Sequence, residues 1–204
     1  MDEYGEFRRQ VLDALRQPLE DGCITVVRSR WAVTFPARFQ LIAASNPCPC
    51  GHLGDAVKPC VCMPGAVAGY RERMSGPIAD RIDLAVEVAR LAKRQLFGQP
   101  EGDPSAVVAE RVAAARARQR ERWRALGLAC NAEVPARDID VACRLTHPAR
   151  VAVESAIETM GLTARGAHRA VRVARTIADL QAADEVDEGQ MDEALAFRVA
   201  EART

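Results

Sequence analysis

Apolar residues recur at helical spacing near the start of the chain. Phe7, Val11, Leu12, Leu15 and Leu19 predict a helix over 6–21, and Gly22 supplies the stop. The period then shortens: CITVV and WAVTF around Arg28-Ser29-Arg30 predict a β-hairpin over 23–35. The run FQLIAAS at 39–45 is apolar on consecutive positions, which suits a strand covered on both faces of a parallel sheet. It ends at the turn signal Asn46-Pro47. A Cys-, Pro- and Gly-rich loop fills 47–65, followed by a short helix over 66–74 and another strand over 82–88. The segment GQPEGDPS at 98–105 has little that can pack and reads as a linker, with Ser105 able to cap the helix after it.

Beyond the linker the pattern is helical throughout, over 105–126, 138–145, 148–160, 164–182 and 187–200. Asp187 with Gln190 has the spacing of a capping box. No internal repeat is present. The expected organisation is an α/β domain over 1–97, a linker over 98–105 and an all-α domain over 106–204.

Composition narrows the function classes. Apolar residues make up 49% and charged residues 27%, as in a globular protein with a packed core. Acidic and basic residues number 28 each, so binding to a polyanion requires a local patch. Only Lys58 and Lys93 are lysine; every other basic residue is arginine, and no function follows from that. No 18-residue apolar run occurs, so no membrane segment is expected. The polar start MDEYGEFRRQ is not followed by a signal peptide, and the expected compartment is the cytoplasm. There the seven cysteines read as thiols or metal ligands.

Two C-x-C pairs, Cys48/Cys50 and Cys60/Cys62, are separated by nine residues in one loop. Four thiolates can close a tetrahedral zinc site, with His52 as a spare ligand; four free thiols in a loop are the other reading. Cys23, Cys130 and Cys143 lie in apolar contexts and read as core. Asn46 ends the apolar run, where open parallel sheets place ligands; alone, such a residue is more often a turn residue. Arg81, between Asp80 and Asp83, reads alone as a local ion pair. Arg165, Arg169 and Arg172 share a helix face, either solvated or able to clamp a phosphate. Residues 111–124 carry six arginines and one glutamate, ending near Trp123; they spread around the helix, as on a solvated surface, with nucleic-acid contact as the alternative.

The stretch LDALRQPLEDGCITVVRSRWAVTFPARFQLIAASNPCPCGHLGD resembles the Mg-chelatase-like AAA+ ATPases of bacteria, of the ComM/YifB type. So do YRERMSGPIADRIDLAVEV and GLTARGAHRAVRVARTIADL, the last like the family's C-terminal helical domain. The resemblance covers nearly the whole chain in the family's order. It implies an α/β fold: part of a AAA+ core, with a parallel-sheet remnant and a hairpin insertion, followed by an all-α lid. It also implies roles for particular residues. Asp2 and Glu3 fall at the end of the Walker B motif, where Asp helps hold Mg²⁺ and Glu orients the attacking water. Asn46 falls at sensor 1 beside the γ-phosphate. Arg81 falls at the arginine finger, which serves a neighbouring subunit. Arg165 falls at sensor 2 in the lid. The hairpin matches one that points into the pore of related helicases, making Arg28 and Arg30 candidates for DNA contact. The implied partners are ATP, identical subunits in a hexameric ring, and DNA.

One part of the family pattern is absent. No G-x-x-x-x-G-K-[ST] occurs, so the backbone cradle and lysine that hold the β- and γ-phosphates are missing. The expectation is therefore a C-terminal piece of such an ATPase, cut before its phosphate-binding loop and unable to bind or hydrolyse ATP by itself. Gly166 and Ala167 beside the lid arginines are smaller than the residues relatives often carry there. A non-catalytic, zinc-stapled interaction module is the alternative of another class.

Overall fold

The computed structural model describes residues 1–74, 78, 81–91, 97–98 and 102–202. The chain forms two compact units, Met1–Ile82 and Asp83–Arg203. It is mostly helical, and among the described residues its sheet is a single antiparallel pair.

In the first unit, the expected helix over 6–21 forms as two pieces, α1 (Arg9–Ala14) and α2 (Arg16–Asp21). Pro18 explains the break: it donates no N–H, and its ring crowds the carbonyl of Ala14 four residues earlier. Gly22 ends α2 in the left-handed region at φ 65°, its N–H bonded to the Pro18 carbonyl at 3.1 Å. The hairpin follows as expected. Strand β1 (Cys23–Arg28) pairs with β2 (Trp31–Pro36) in the register Cys23↔Pro36 to Arg28↔Trp31. Ser29 at φ 47° makes the tight turn, and Thr25 and Thr34 share a hydroxyl hydrogen bond of 3.0 Å across the pair. Apart from Cys23, every position of the hairpin is exposed.

Two expected strands are corrected. Neither 39–45 nor 82–88 is a strand here. A strand covered on both faces needs hydrogen-bonded neighbours, and the described residues supply very few. Residues 42–44 have one short partner: Met1 N–H donates to the Ile42 carbonyl, Ala44 N–H to Met1, and Tyr4 N–H to Ala44, at 2.6, 2.9 and 2.8 Å. In the segment 82–88, Ala85 N–H donates to the Phe197 carbonyl at 3.2 Å without a strand forming. So the expected parallel sheet is not formed among the described residues. After the cysteine loop comes α3 (Pro64–Met74), two residues longer at its start than its pattern suggested. The apolar core of this unit is small: Tyr4, Leu12 and Ile78, flanked by Leu15 and Ile82.

The second unit contains α4 (Ser105–Trp123), α5 (Ile139–Cys143), α6 (His147–Met160), α7 (Ala164–Leu180) and α8 (Glu188–Ala202). Ser105 is the first helical residue of α4 and makes no capping bond, so that expectation is corrected; Pro104 precedes the helix instead. The Asp187/Gln190 box does form, with reciprocal bonds of 2.7 and 3.0 Å. Residues 99–101 of the expected linker lie outside the described residues. Helix α7 is the centre of a continuous core. Its Ala167, Ala170, Val171, Ala174, Ile177 and Ala178 pack among Val153 and Ala156 of α6, Met191 and Leu195 of α8, and Trp123. Alanines on α7 let the neighbouring helices approach closely. No helix among the described residues is long and apolar enough to cross a membrane.

Candidate functional site

The hydrogen bonds between residues 1–4 and 42–44 run in the parallel sense and set two chain segments side by side. Asp2 and Glu3 lie on one, and Asn46 lies just past the end of the other; all three are exposed. The chain turns sharply at Glu3, whose φ of 49° and ψ of 44° are left-handed. A non-glycine residue rarely adopts this conformation, and it costs about 1–2 kcal/mol. The Asp2 carboxylate accepts the Glu3 N–H at 2.9 Å and steadies that turn. Gly51, at φ 77°, brings the following loop back beside the Asn46 amide.

That loop gathers the four cysteines. The Sγ atoms of Cys48, Cys50, Cys60 and Cys62 all lie within 4.8 Å of one another. Three of the spacings are 3.5, 3.7 and 3.6 Å, for Cys48–Cys50, Cys48–Cys60 and Cys50–Cys60. A tetrahedron with Zn–S bonds of about 2.3 Å has edges of about 3.8 Å, so this sulfur cage fits such an ion. All seven cysteines are free thiols. Cys48 is fully buried, while the other three are partly accessible, which leaves a route for a metal to enter. Backbone hydrogen bonds from Val61 and His52 bring the Cys50 thiol down to about 6. Donation to Cys50, together with burial, pushes Cys62 up to about 12. Cys50 is thus the first thiolate, and a metal must displace protons from the others. The His52 ring is not part of that cluster; its Nδ1 lies 3.9 Å from the Asp55 carboxylate.

Helix α3 holds this region together, through a residue the sequence pattern did not single out. Tyr70 is 1% exposed and shares a 3.1 Å hydroxyl hydrogen bond with Ser45, the neighbour of Asn46. A Cβ on Gly5 would lie 2.5 Å from the Tyr70 ring, so only glycine fits there. Arg73, one turn on, donates to the Gly5 carbonyl at 3.5 Å and lies 5.8 Å from the Tyr70 ring. Tyr70 is the only aromatic residue in a helix otherwise built of small and polar side chains, and that is the signal that could have marked it.

Arg81 forms an ion pair with Glu20; its side chain is 9% exposed. Arg28 and Arg30 stand at the exposed hairpin tip, beside Trp31 at 78% exposure. From 22 to 54 the sequence carries three arginines and no acidic residue, a local positive bias in a neutral chain.

In the second unit, Arg165 is exposed in the first turn of α7, a helix capped by the Thr163 hydroxyl accepting the Gly166 N–H at 3.0 Å. The other two arginines of that face are engaged: Arg169 with Asp83 at 2.5 Å, and Arg172 with the Val134 carbonyl at 3.1 and 2.7 Å. Gly166 and Ala167 are both buried, the glycine beside Arg198. The arginine-rich helix is largely committed as well. Arg122 grips the Asp179 carboxylate at 2.6 and 3.0 Å, and Arg118 donates to the Asp179 carbonyl at 3.0 Å. Arg111 pairs with Asp103 at 2.7 Å and Arg124 with Glu121. These contacts support the structural reading of that helix over nucleic-acid contact.

Two family models match the chain: magnesium chelatase subunit ChlI over residues 1–96, and the ChlI C-terminal region over 102–198. The chain belongs to the magnesium chelatase-like proteins of the ComM/YifB type. It is 41% identical over 201 residues to YifB of Salmonella typhimurium and 40% identical over 199 residues to the competence protein ComM of Haemophilus influenzae. YifB of Escherichia coli is 39% identical over 201 residues. Each alignment covers 97% of this chain and 38% of the relative, so the chain spans well under half the length of the curated relatives it matches.

Proposed function

We propose that this chain supplies the water-positioning, trans-acting and lid elements of an ATP-hydrolysing AAA+ ring, and that the ring works on DNA. The observation that carries this reading is the side-by-side placement of residues 1–4 and 42–44. It brings the segment carrying Asp2 and Glu3 alongside the segment that leads to Asn46, which supports assigning all three to one triphosphate site. In this reading Asp2 helps hold Mg²⁺, Glu3 orients the attacking water and Asn46 positions it near the γ-phosphate. The left-handed turn at Glu3 is the kind of local strain that functional sites retain. ATP and Mg²⁺ are the cofactors of the whole assembly, and zinc in the thiol cage is a structural one.

Phosphoryl transfer needs a metal, a placed water and cations around the developing charge. Arg81 serves the ATP of the next subunit, and its pairing with Glu20 keeps it oriented until that subunit docks. Arg165 in the lid acts as sensor 2. The division of labour is an ATPase core portion over 1–97, a linker over 98–105 and the lid over 106–204. The ring is a hexamer of identical subunits, with Arg28 and Arg30 of the hairpin facing DNA. The DNA reading draws on the family resemblance, on a relative named a competence protein, and on the acid-free stretch around the hairpin.

The 204-residue chain alone, without a phosphate-binding loop, is proposed to be inactive. Calorimetric titration with ATP is expected to show no micromolar binding, and micromolar affinity would overturn that. Added to an intact homologue, the chain should alter the ATPase rate, and Arg81→Ala should remove the effect. If the wild-type chain leaves the ring indifferent at every ratio while carrying stoichiometric zinc, the second reading gains: a zinc-stapled interaction module. The four-sulfur cage is the observation that favours it.

A further inference from the structure

We propose that metal in the thiol cage and the placement of the acidic segment are one coupled device, with Tyr70 as the positioning residue between them. This rests on the reading of the cage as a metal site and is independent of whether the chain meets ATP.

The cage joins both ends of the loop. Cys48 lies two residues after Asn46, and Cys62 lies two residues before Pro64, the start of α3. Closing four thiolates on one ion therefore fixes the start of α3 against the end of the 42–46 segment. Two turns further along, α3 delivers Tyr70 to two places at once. Its hydroxyl meets Ser45 at 3.1 Å, and its ring seals the backbone of Gly5 so closely that no side chain fits there. Gly5 and Ser45 lie at the ends of the two segments that the backbone bonds of Met1, Tyr4 and Ala44 hold side by side. Apart from Tyr70 and Cys48 themselves, the buried apolar cluster of this unit among the described residues is Tyr4, Leu12 and Ile78. A rigid α3 thus clamps both segments, and a loose cage frees the helix that carries the clamp. No redox or proton-transfer step is needed, only metal-dependent order.

The probe is cobalt(II), whose visible bands report tetrahedral thiolate ligation directly, added to the metal-stripped 204-residue chain under reducing conditions. Amide hydrogen exchange is then followed at Ala44, whose N–H bonds to Met1 at 2.9 Å, and at Val186 of the second unit as control. Cobalt is expected to slow exchange at Ala44 by about tenfold, the worth of one native hydrogen bond, and to leave Val186 unchanged. In Tyr70→Phe the cobalt spectrum should persist while the slowing at Ala44 falls to within about twofold. Ser45→Ala removes the same bond from its other end with the buried ring intact, so it carries the test if Tyr70→Phe does not fold. Cobalt bound with tetrahedral bands but no change at Ala44, or full slowing retained in a folded variant, overturns the coupling alone. Absence of thiolate bands overturns the metal reading and the coupling together.

Discussion

The two units are stabilised by different means. The second buries a continuous apolar core around α7 and satisfies its charged groups internally; Asp179 alone takes bonds from Arg122, Arg175 and Asn131. The first has a small apolar cluster, Tyr4, Leu12 and Ile78 among the described residues, and leaves Ile24, Val27, Trp31, Phe35 and Ile42 exposed. Helices complete their backbone hydrogen bonds locally, so a helical unit needs only packing. Sheet segments need neighbours, and among the described residues the segment 42–44 finds just one short one. A four-thiol cage is the kind of cross-link that offsets such a small core.

The chain carries its own reporters for testing that contrast. Both tyrosines, Tyr4 and Tyr70, are buried in the first unit, whereas buried Trp123 belongs to the second and Trp31 is exposed. Near-ultraviolet tyrosine dichroism therefore follows one unit and blue-shifted tryptophan emission the other. The largest expected effect is loss of the cage. Structural zinc contributes about 10–16 kcal/mol of apparent binding energy in small zinc-dependent folds. Chelation, or Cys48→Ser with Cys60→Ser, should diminish the tyrosine signal and leave Trp123 emission unshifted. A tyrosine signal unchanged without metal would show that the first unit holds itself together.

The converse change is Asp179→Ala. Asp179 and Arg175 are both fully buried and 3.1 Å apart, and burial already lowers the affinity of Arg175 for its proton. Removing the carboxylate strands two guanidinium groups and the Asn131 amide, at a cost of about 3–5 kcal/mol. Denaturant titration should show the Trp123 transition moving to lower concentration and the tyrosine transition staying in place. Asp179→Asn, which keeps one carbonyl oxygen, should lose less.

Legibility in the sequence divides along the same line. The helices of the second unit were readable because their apolar period is local, and the Asp187/Gln190 box carried its own signature. Gly22 and the hairpin were readable for the same reason. The runs at 39–45 and 82–88 were misread as strands because an apolar run states how a strand would be covered, not whether a neighbour exists to bond it. The thiol cage was legible from spacing alone. Tyr70 and Glu20 were not, since each acts at a partner more than sixty positions away or across an element whose position no local pattern encodes. The arginine-rich helix is largely exposed, as the spread of its charges suggested, but periodicity could not foresee that Asp179 would take bonds from Arg118 and Arg122.

A smaller, backbone-level change sharpens the picture of the first unit. In Gly5→Ala the new Cβ meets the Tyr70 ring at 2.5 Å, and the ring is buried with its hydroxyl held by Ser45. Overpacking of this kind costs about 1–3 kcal/mol. The tyrosine transition should weaken by that amount, measured with metal bound, and the Trp123 transition should not move.

The mildest test changes no side chain and reads two thiols. Cys50, at about 6 through its backbone donors, is largely thiolate at neutral pH once the metal is removed. Cys143, fully buried against α7, is pushed up to about 11 by burial, which outweighs the pull of Arg175, Arg172 and Arg122. Alkylation at pH 7 should therefore mark Cys50 within minutes, spare it when zinc is present, and leave Cys143 untouched until the second unit unfolds. The signs of the two linkages are opposite. Cys50 is lowered in the fold, so its contribution is present above the ordinary thiol range and fades as pH falls through about 6. Cys143 is raised, so its contribution is complete below the ordinary thiol range and fades as pH rises through about 11. Acid should accordingly weaken the first unit through its cage, and strong alkali the second through its core. Native labelling of Cys143 at pH 7 would mean that the helical core opens far more readily than its packing implies.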